Sequence, residues 1–266
     1  MTYNSIVLVK QVPDTANISG DVMKPDGTVN RAKLPAIFNP EDKVALELAL
    51  QVKDQYGGKV TAVTMGPPKA AELLKECLYM GADEVVLVTD RKFAGADTLA
   101  TSYVLNKVIE KIGNYDIVFA GRQAIDGDTA QVGPQTAEKL GLPQITYAEK
   151  ILELNNGKIK VQRLIDGGYE ILASKLPALL TVVKEASVPR PFSAKRVMTF
   201  KNYVPRHLST EDLDVDLERC GLFGSPTKVH NIESVVLSAG DHENVEPSKE
   251  GLGQLIDKLM NDHIFG

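Results

Sequence analysis

The chain has 266 residues, 43% hydrophobic and 24% charged, with a formal net charge of −5. Those proportions suit a water-exposed globular protein with a substantial core. They give no support to functions that need an overall basic surface, although local basic clusters are compatible with them. The acidic balance gives no electrostatic reason to expect nucleic acid, and no stretch approaches the roughly 20 apolar residues that cross a bilayer.

Residues 1–10, MTYNSIVLVK, have no basic segment before their apolar run, so they read as a strand over 5–10 rather than a signal peptide. The Asn17-Ile18-Ser19 sequon is therefore taken as chance. Asn39 reads as a helix N-cap, with Pro40 at the first helical position and Glu41 and Asp42 at the positive end of the dipole. That helix runs to about Tyr56 and stops at Gly57-Gly58. A strand over 59–65 ends in Gly66-Pro67-Pro68. Ala70, Leu73, Leu74, Cys77 and Leu78 then follow helical spacing up to Gly81. Strands over 84–89 and 115–120 flank a helix over 97–112, and a further helix over 129–140 is stopped by Gly141 and Pro143.

Apolar strands alternating with amphipathic helices predict a Rossmann-like α/β fold: a mostly parallel sheet with helices on both faces. Ligands of such sheets sit beyond the carboxyl ends of the strands, which here are the loops after Lys10, Met65 and Ala120.

From about residue 144 the rhythm changes to strands. Residues 144–154 and 158–165 meet through Asn155-Asn156-Gly157, a hairpin signal. Strands over 169–174 and 178–183 follow, a β-meander expected to extend the sheet at one side. This closes an expected nucleotide-binding unit over 1–183. Residues 184–266 read as a partner-recognition arm and extension. The stretch after Lys184 carries prolines and Arg190, Lys195, Arg196, Lys201, Arg206 and His207 without regular period. A last helix over 248–263 has an apolar stripe of Leu252, Leu255, Ile256 and Leu259. Either a partner chain covers arm and helix, or both fold back on their own domain.

Cys77 reads as a small core residue and Cys220 has no assigned role. Two cysteines make no disulfide framework, which points to a reducing, cytoplasmic compartment. Neither joins His207, His230, His242 or His263 in a metal spacing.

The densest chemistry is AGRQAIDGDTAQVGP, residues 120–134, directly after an apolar strand. A glycine-bearing loop leading into a helix is a ready anion site, because first-turn N–H groups are unpaired and the dipole is positive there. Gly127, Gly133 and the Thr129 hydroxyl suit close approach of a phosphate, whereas Asp126 and Asp128 would repel it. Three readings remove the objection: Asp128 caps the helix, a carboxylate pairs with Arg122, or one accepts from ribose hydroxyls. Capping and ion pairing alone would leave Arg122, Gln123 and Gln131 without an account. Neither G-x-G-x-x-G after the first strand, nor a P-loop, nor a G-x-S-x-G elbow is present. Residue chemistry thus reaches an adenine-nucleotide-binding α/β protein.

VLVKQVPD (7–14), FNPED (38–42), MGADE (80–84), the 120–134 loop, LPQITYA (142–148) and IDGGYE (165–170) together resemble the beta subunit of electron transfer flavoproteins, in the family's order and to about residue 200. The resemblance implies a flavin-carrying alpha subunit as partner. In the beta subunit it implies AMP, as in the common members, or a second FAD. Members of the second kind split the electron pair of NADH between ferredoxin or flavodoxin and, through the alpha-subunit flavin, a dehydrogenase of acyl-CoA or 2-hydroxyacid type. The DGDTAQVGP segment is similar to this second kind, where AMP-binding members carry a DDDCNQT-like segment, and Gly127 leaves room for a larger ligand. FAD with NADH is therefore the expectation and AMP the alternative. A stand-alone adenine-nucleotide-binding protein is a third reading, which the arm and the extent of the motifs oppose.

By position, the resemblance implies Leu8 and Lys10 beside the nucleotide, Asn39, Pro40, Glu41 and Asp42 near the adenosine, and Met65 on the pocket wall. Residues 116–132 would wrap phosphates and ribose, through Gly121, Arg122, Gln123, Asp126, Gly127, Asp128 and Ala130, with Thr129, Gln131 and Val132 presenting the helix start to the pyrophosphate. Arg122 is the candidate catalytic residue, a fixed cation able to stabilise an anionic reduced ring; its competing role is an ion pair with Asp126. The resemblance also makes 184–202 a partner-recognition segment and the last helix an anchor for the alpha subunit.

Overall fold

The computed structural model describes residues 2–14, 34–227 and 243–264; the Asn17 sequon, His230 and His242 lie outside them. The elements in chain order are β1 (Ser5–Leu8), β2 (Gln11–Pro13), β3 (Ala36–Phe38), α1 (Pro40–Tyr56), β4 (Val60–Met65), α2 (Ala71–Met80), β5 (Glu84–Val88), α3 (Thr98–Ile112), β6 (Ile117–Gly121) and α4 (Val132–Leu140). They continue as β7 (Gln144–Asn155), β8 (Lys158–Ile165), β9 (Gly168–Lys175), β10 (Ala178–Val182), α5 (Ala194–Phe200), β11 (Arg206–Leu208) and α6 (Lys249–Asn261).

Nine strands form one sheet in the order β11-β5-β4-β1-β6-β10-β7-β8-β9, while β2 and β3 pair separately. Strands β1, β4, β5, β6, β10 and β11 run parallel, and every residue of β1, β6 and β10 is buried. Such continuous apolar runs are stable only with both faces covered. Leu46, Leu50, Leu73 and Leu78 of α1 and α2 cover one face, and Val104, Val108, Ile109 and Ala137 of α3 and α4 cover the other. This is the expected α/β architecture.

Local chemistry sets the element ends. Asp97 precedes α3 and its Oδ1 accepts the Ala100 N–H at 3.0 Å. Gly81 ends α2 at φ 141°, a conformation closed to other residues. Asn156 and Gly157, at φ 47° and 69°, make the tight turn between β7 and β8.

Two expectations change. The strand at 178–182 does not continue the meander. It returns to the interior, parallel to β6 on one side and β7 on the other, and only β7–β9 extend the sheet. Five buried residues in a row need neighbours on both sides, which an outer position lacks. The stretch after Lys184 is also less extended than its composition suggests. It contains α5 and β11, and β11 adds a parallel strand beside β5. The Arg190 guanidinium grips Glu47 of α1 at 2.8 and 3.0 Å and Asp54 at 2.8 Å, while Arg196 donates to the carbonyls of Leu78 and Ala82. Leu208, Leu213 and Cys220 join the α3 side of the core. Residues 184–227 therefore fold back on their own sheet. The helix α6 differs: Leu252, Ile256 and Met260 remain about half exposed, at 53%, 51% and 55%. Both cysteines are free and buried.

Because the Glu47 side chain is only 6% exposed, Arg190→Ala strands a buried carboxylate. The expected cost is about 1–3 kcal/mol in urea unfolding, with faster tryptic cleavage at Lys195 as the arm loosens.

Candidate functional site

The first turn of α1 reaches across to the ends of β1 and β6. Asn39 precedes the helix, as expected, but its side chain caps nothing. Its Nδ2 donates to the Gln123 carbonyl at 2.8 Å and its Oδ1 accepts the Ile125 N–H at 3.2 Å. Glu41 accepts the Gln123 N–H at 2.8 Å and lies 3.0 Å from Nη2 of Arg122. Asp42 accepts the N–H of Lys10 at 2.8 Å through one oxygen and that of Gly121 at 3.0 Å through the other. All three side chains are buried. Strand-end amides that would otherwise lack acceptors are satisfied in this way. Gly121 is required here, since a Cβ would fall 2.4 Å from Asp42 Oδ1. Burial pushes the Asp42 carboxyl up to about 7, against the pull of hydrogen bonds from Asn39, Lys10 and Gly121.

Beyond this clamp lies a cleft of about 1010 Å³ at the carboxyl ends of β1, β4, β5 and β6. The chain leaves β1 for β4 on one side and reaches β6 on the other, so the cleft sits where the strand order reverses, the usual ligand position in open α/β sheets. Its floor is apolar, with Leu8, Val63, Met65, Val88 and Phe93, and its rim is polar. Of the expected residues, Leu8, Lys10, Asp42, Met65, Gly121, Arg122, Gln123, Gly127, Thr129, Ala130, Gln131 and Val132 share the lining. Asn39, Pro40, Glu41, Asp126 and Asp128 are not on it. Asn39 and Glu41 support the wall from behind, their side-chain polar atoms spent on the loop, and Pro40 lies between them at the first turn of α1. The wall made by residues 88–98 was missed, although the loop after a third parallel strand must open on the same edge.

The loop differs from expectation in two respects. Helix α4 begins at Val132, not at Thr129, because Asp128 and Ala130 take left-handed φ values of 48° and 52° that keep 128–131 out of the helix. Asp128 therefore caps nothing and accepts from Nε2 of Gln123 at 2.8 Å. Nor does Asp126 pair with Arg122: it binds Lys10 Nζ at 2.7 and 2.9 Å, across the cleft rim. Both carboxylates that would repel an anion are thus held by donors. The Thr98 hydroxyl donates to Gln131 Oε1 at 2.8 Å, tying the loop to the start of α3.

The donor set fits a nucleotide. The amides of Val132 and Gly133 open α4, whose first-turn N–H groups lack helical acceptors and favour anions. Gly133 lets the helix start rest on β10, since a Cβ would come within 2.6 Å of the Thr181 methyl. Among the described residues Arg122 Nε is buried without a hydrogen-bond partner, which ordinarily costs about 1–3 kcal/mol. Its guanidinium lies 5.7 Å from the centroid of the Tyr147 ring, a cation–π contact of about 0.5–1 kcal/mol when exposed. An apolar floor suits aromatic rings. Among the described residues no His, Cys, Asp and Glu group is arranged for a metal, and no helix is long and apolar enough to cross a membrane.

The family description "Electron transfer flavoprotein domain" matches residues 26–204. The chain is 48% identical over 260 residues to an electron transfer flavoprotein subunit beta of Clostridium acetobutylicum, covering 98% of this chain and 99% of that one. It is 44% identical to a caffeyl-CoA reductase–Etf complex subunit of Acetobacterium woodii, over 98% and 99% of the two chains. An acryloyl-CoA reductase electron transfer subunit gamma of Anaerotignum propionicum is 43% identical, over 97% and 98%.

A carboxyl raised in the folded state binds a proton there that the unfolded chain has already lost. The contribution of Asp42 is therefore complete below the unfolded value of 3.8 and is lost as pH rises through about 7. Thermal midpoints of Asp42→Asn from pH 4 to 8 are expected to lack this downward component, whatever the variant's overall stability.

Proposed function

This chain belongs to the electron transfer flavoprotein family as a beta subunit, and from that premise we propose that it binds FAD in the cleft at the end of β1 and β6. In this reading it works with an alpha subunit, takes electrons from NADH and divides them. One goes to ferredoxin or flavodoxin, the other through the alpha-subunit flavin to a partner dehydrogenase. The observation that carries the reading is the cleft: about 1010 Å³, at the upper end of the roughly 300–1,000 Å³ usual for small-molecule sites. It has an apolar floor, and a helix start and cations on one side. A Cβ at Gly127 would meet nothing within 4 Å, which leaves that side open to a ligand longer than a mononucleotide. The relatives named as subunits of caffeyl-CoA and acryloyl-CoA reductase complexes support a dehydrogenase of the acyl-CoA type over the 2-hydroxyacid type.

The flavin, when bound, supplies hydride acceptance and single-electron transfer. The protein's residues bind and orient. The Val132 and Gly133 amides would hold phosphate oxygens, Leu8 and Met65 would face apolar rings, and Arg122, anchored by Glu41, would supply a fixed positive charge. AMP is the second reading, favoured by the same helix amides, which need only one phosphate.

Nucleotide extraction and the visible spectrum of the purified two-subunit complex separate the two. Two flavins per heterodimer are expected; one flavin with extractable AMP would establish the alternative. Arg122→Gln, which keeps a donor for Glu41, is expected to lower NADH-driven ferredoxin reduction about 10- to 100-fold, from the worth of one charged contact, with little change in melting midpoint. Parallel loss of both would assign Arg122 to the scaffold.

A further inference from the structure

We infer that Tyr147 is a positioning residue for Arg122: its ring and the Glu41 carboxylate seat the guanidinium from two sides and hold it for the anionic part of the cleft's ligand. The inference rests on the reading of Arg122 given above and extends it to a residue that does not line the cleft.

Tyr147 belongs to the LPQITYA stretch, residues 142–148, for which neither the cleft nor the helix start provides a use. It lies in β7, where pairing with β10 shifts register between Leu180 and Val182. Its φ is 57°. For a bulky aromatic residue a left-handed backbone is a true outlier, and it persists only where the surroundings hold it. The holder is Thr181, a buried residue of β10 whose Oγ1 accepts the Tyr147 N–H at 3.2 Å. The methyl of the same threonine abuts Gly133 in the first turn of α4. One buried side chain thus fixes both the unusual backbone of Tyr147 and the start of the anion-binding helix.

Core burial does not account for this conformation, since Tyr147 is 38% exposed. What the conformation secures is the ring's place beside Arg122, 5.7 Å from centroid to guanidinium carbon. Glu41 restrains Nη2 at 3.0 Å, while buried Nε has no hydrogen-bond partner among the described residues. With the carboxylate alone, the guanidinium would be anchored at one end and free to swing. The aromatic face opposes that swing, and it attracts the cation without consuming a hydrogen-bond donor. The Nη donors that Glu41 does not take lie at the exposed end of the side chain and stay available to a phosphate.

The test compares AMP with adenosine on the full chain, in its two-subunit complex, after removal of endogenous nucleotide, by calorimetric titration. Tyr147→Leu is expected to weaken AMP roughly threefold to thirtyfold, the range of a cation–π contact, while adenosine affinity holds. Tyr147→Phe, which keeps the ring, is expected to bind both as the parent does. An unchanged ratio of AMP to adenosine affinity in Tyr147→Leu overturns the inference, as does equal weakening of both ligands with a lower melting midpoint, the mark of a purely structural residue. A parent protein that binds adenosine and AMP equally well would instead remove the anion-binding role of Arg122, and this inference with it.

Discussion

Three side chains at the start of one helix hold the functional edge of the sheet together. Asn39, Glu41 and Asp42 supply acceptors to the N–H groups of Lys10, Gly121, Gln123 and Ile125, and Glu41 also takes the Arg122 guanidinium. Buried acids are costly unless satisfied. Here the positive end of the α1 dipole and several N–H donors meet that cost together. The cross-link joins the ends of β1 and β6, where the strand order reverses and the cleft opens. A fully bonded polar network in a dry place tolerates one geometry, so the cleft's shape depends on it.

The same helix serves the rest of the molecule. Two turns on from the clamp, Glu47 receives Arg190, and Asp54 follows at the exposed end. The segment after Lys184 is thereby pinned across α1 and α2, and Arg196 donates to backbone carbonyls at the end of α2. Further along the same segment, β11 covers the sheet edge at β5 that would otherwise present unpaired backbone groups. The helix α6 leaves an apolar stripe uncovered by the described residues, a feature in keeping with a subunit that functions alongside another chain.

Much of the frame could be read residue by residue. Continuous apolar runs identify β1, β4 and β6 as interior strands, whereas the equally apolar β10 reads as meander because its partners β6 and β7 are not its chain neighbours on both sides. Glycines mark the ends of α1 and α2, Asp97 announces α3, and Asn156-Gly157 turns the hairpin. The other misreadings have local causes. The Arg206–Leu208 strand has three residues and two polar side chains, too short to show a period. Residues 129–131, Thr-Ala-Gln, resemble helix because alanine and glutamine are good helix formers, and nothing in their identity reveals the left-handed turns at Asp128 and Ala130.

Periodicity and chain punctuation, which depend on neighbours a few positions away, were enough to establish the α/β class, the edge on which the cleft opens and the loop that carries the charged groups. Partner choice among those groups was not accessible in the same way. Lys10 meets Asp126 across 116 positions, and Glu41 rather than Asp126 meets Arg122. Asn39 looks like a cap yet serves the loop after β6. Long polar side chains bond to whatever the topology brings within about 3 Å, and that proximity exists only once β1, α1 and β6 stand side by side.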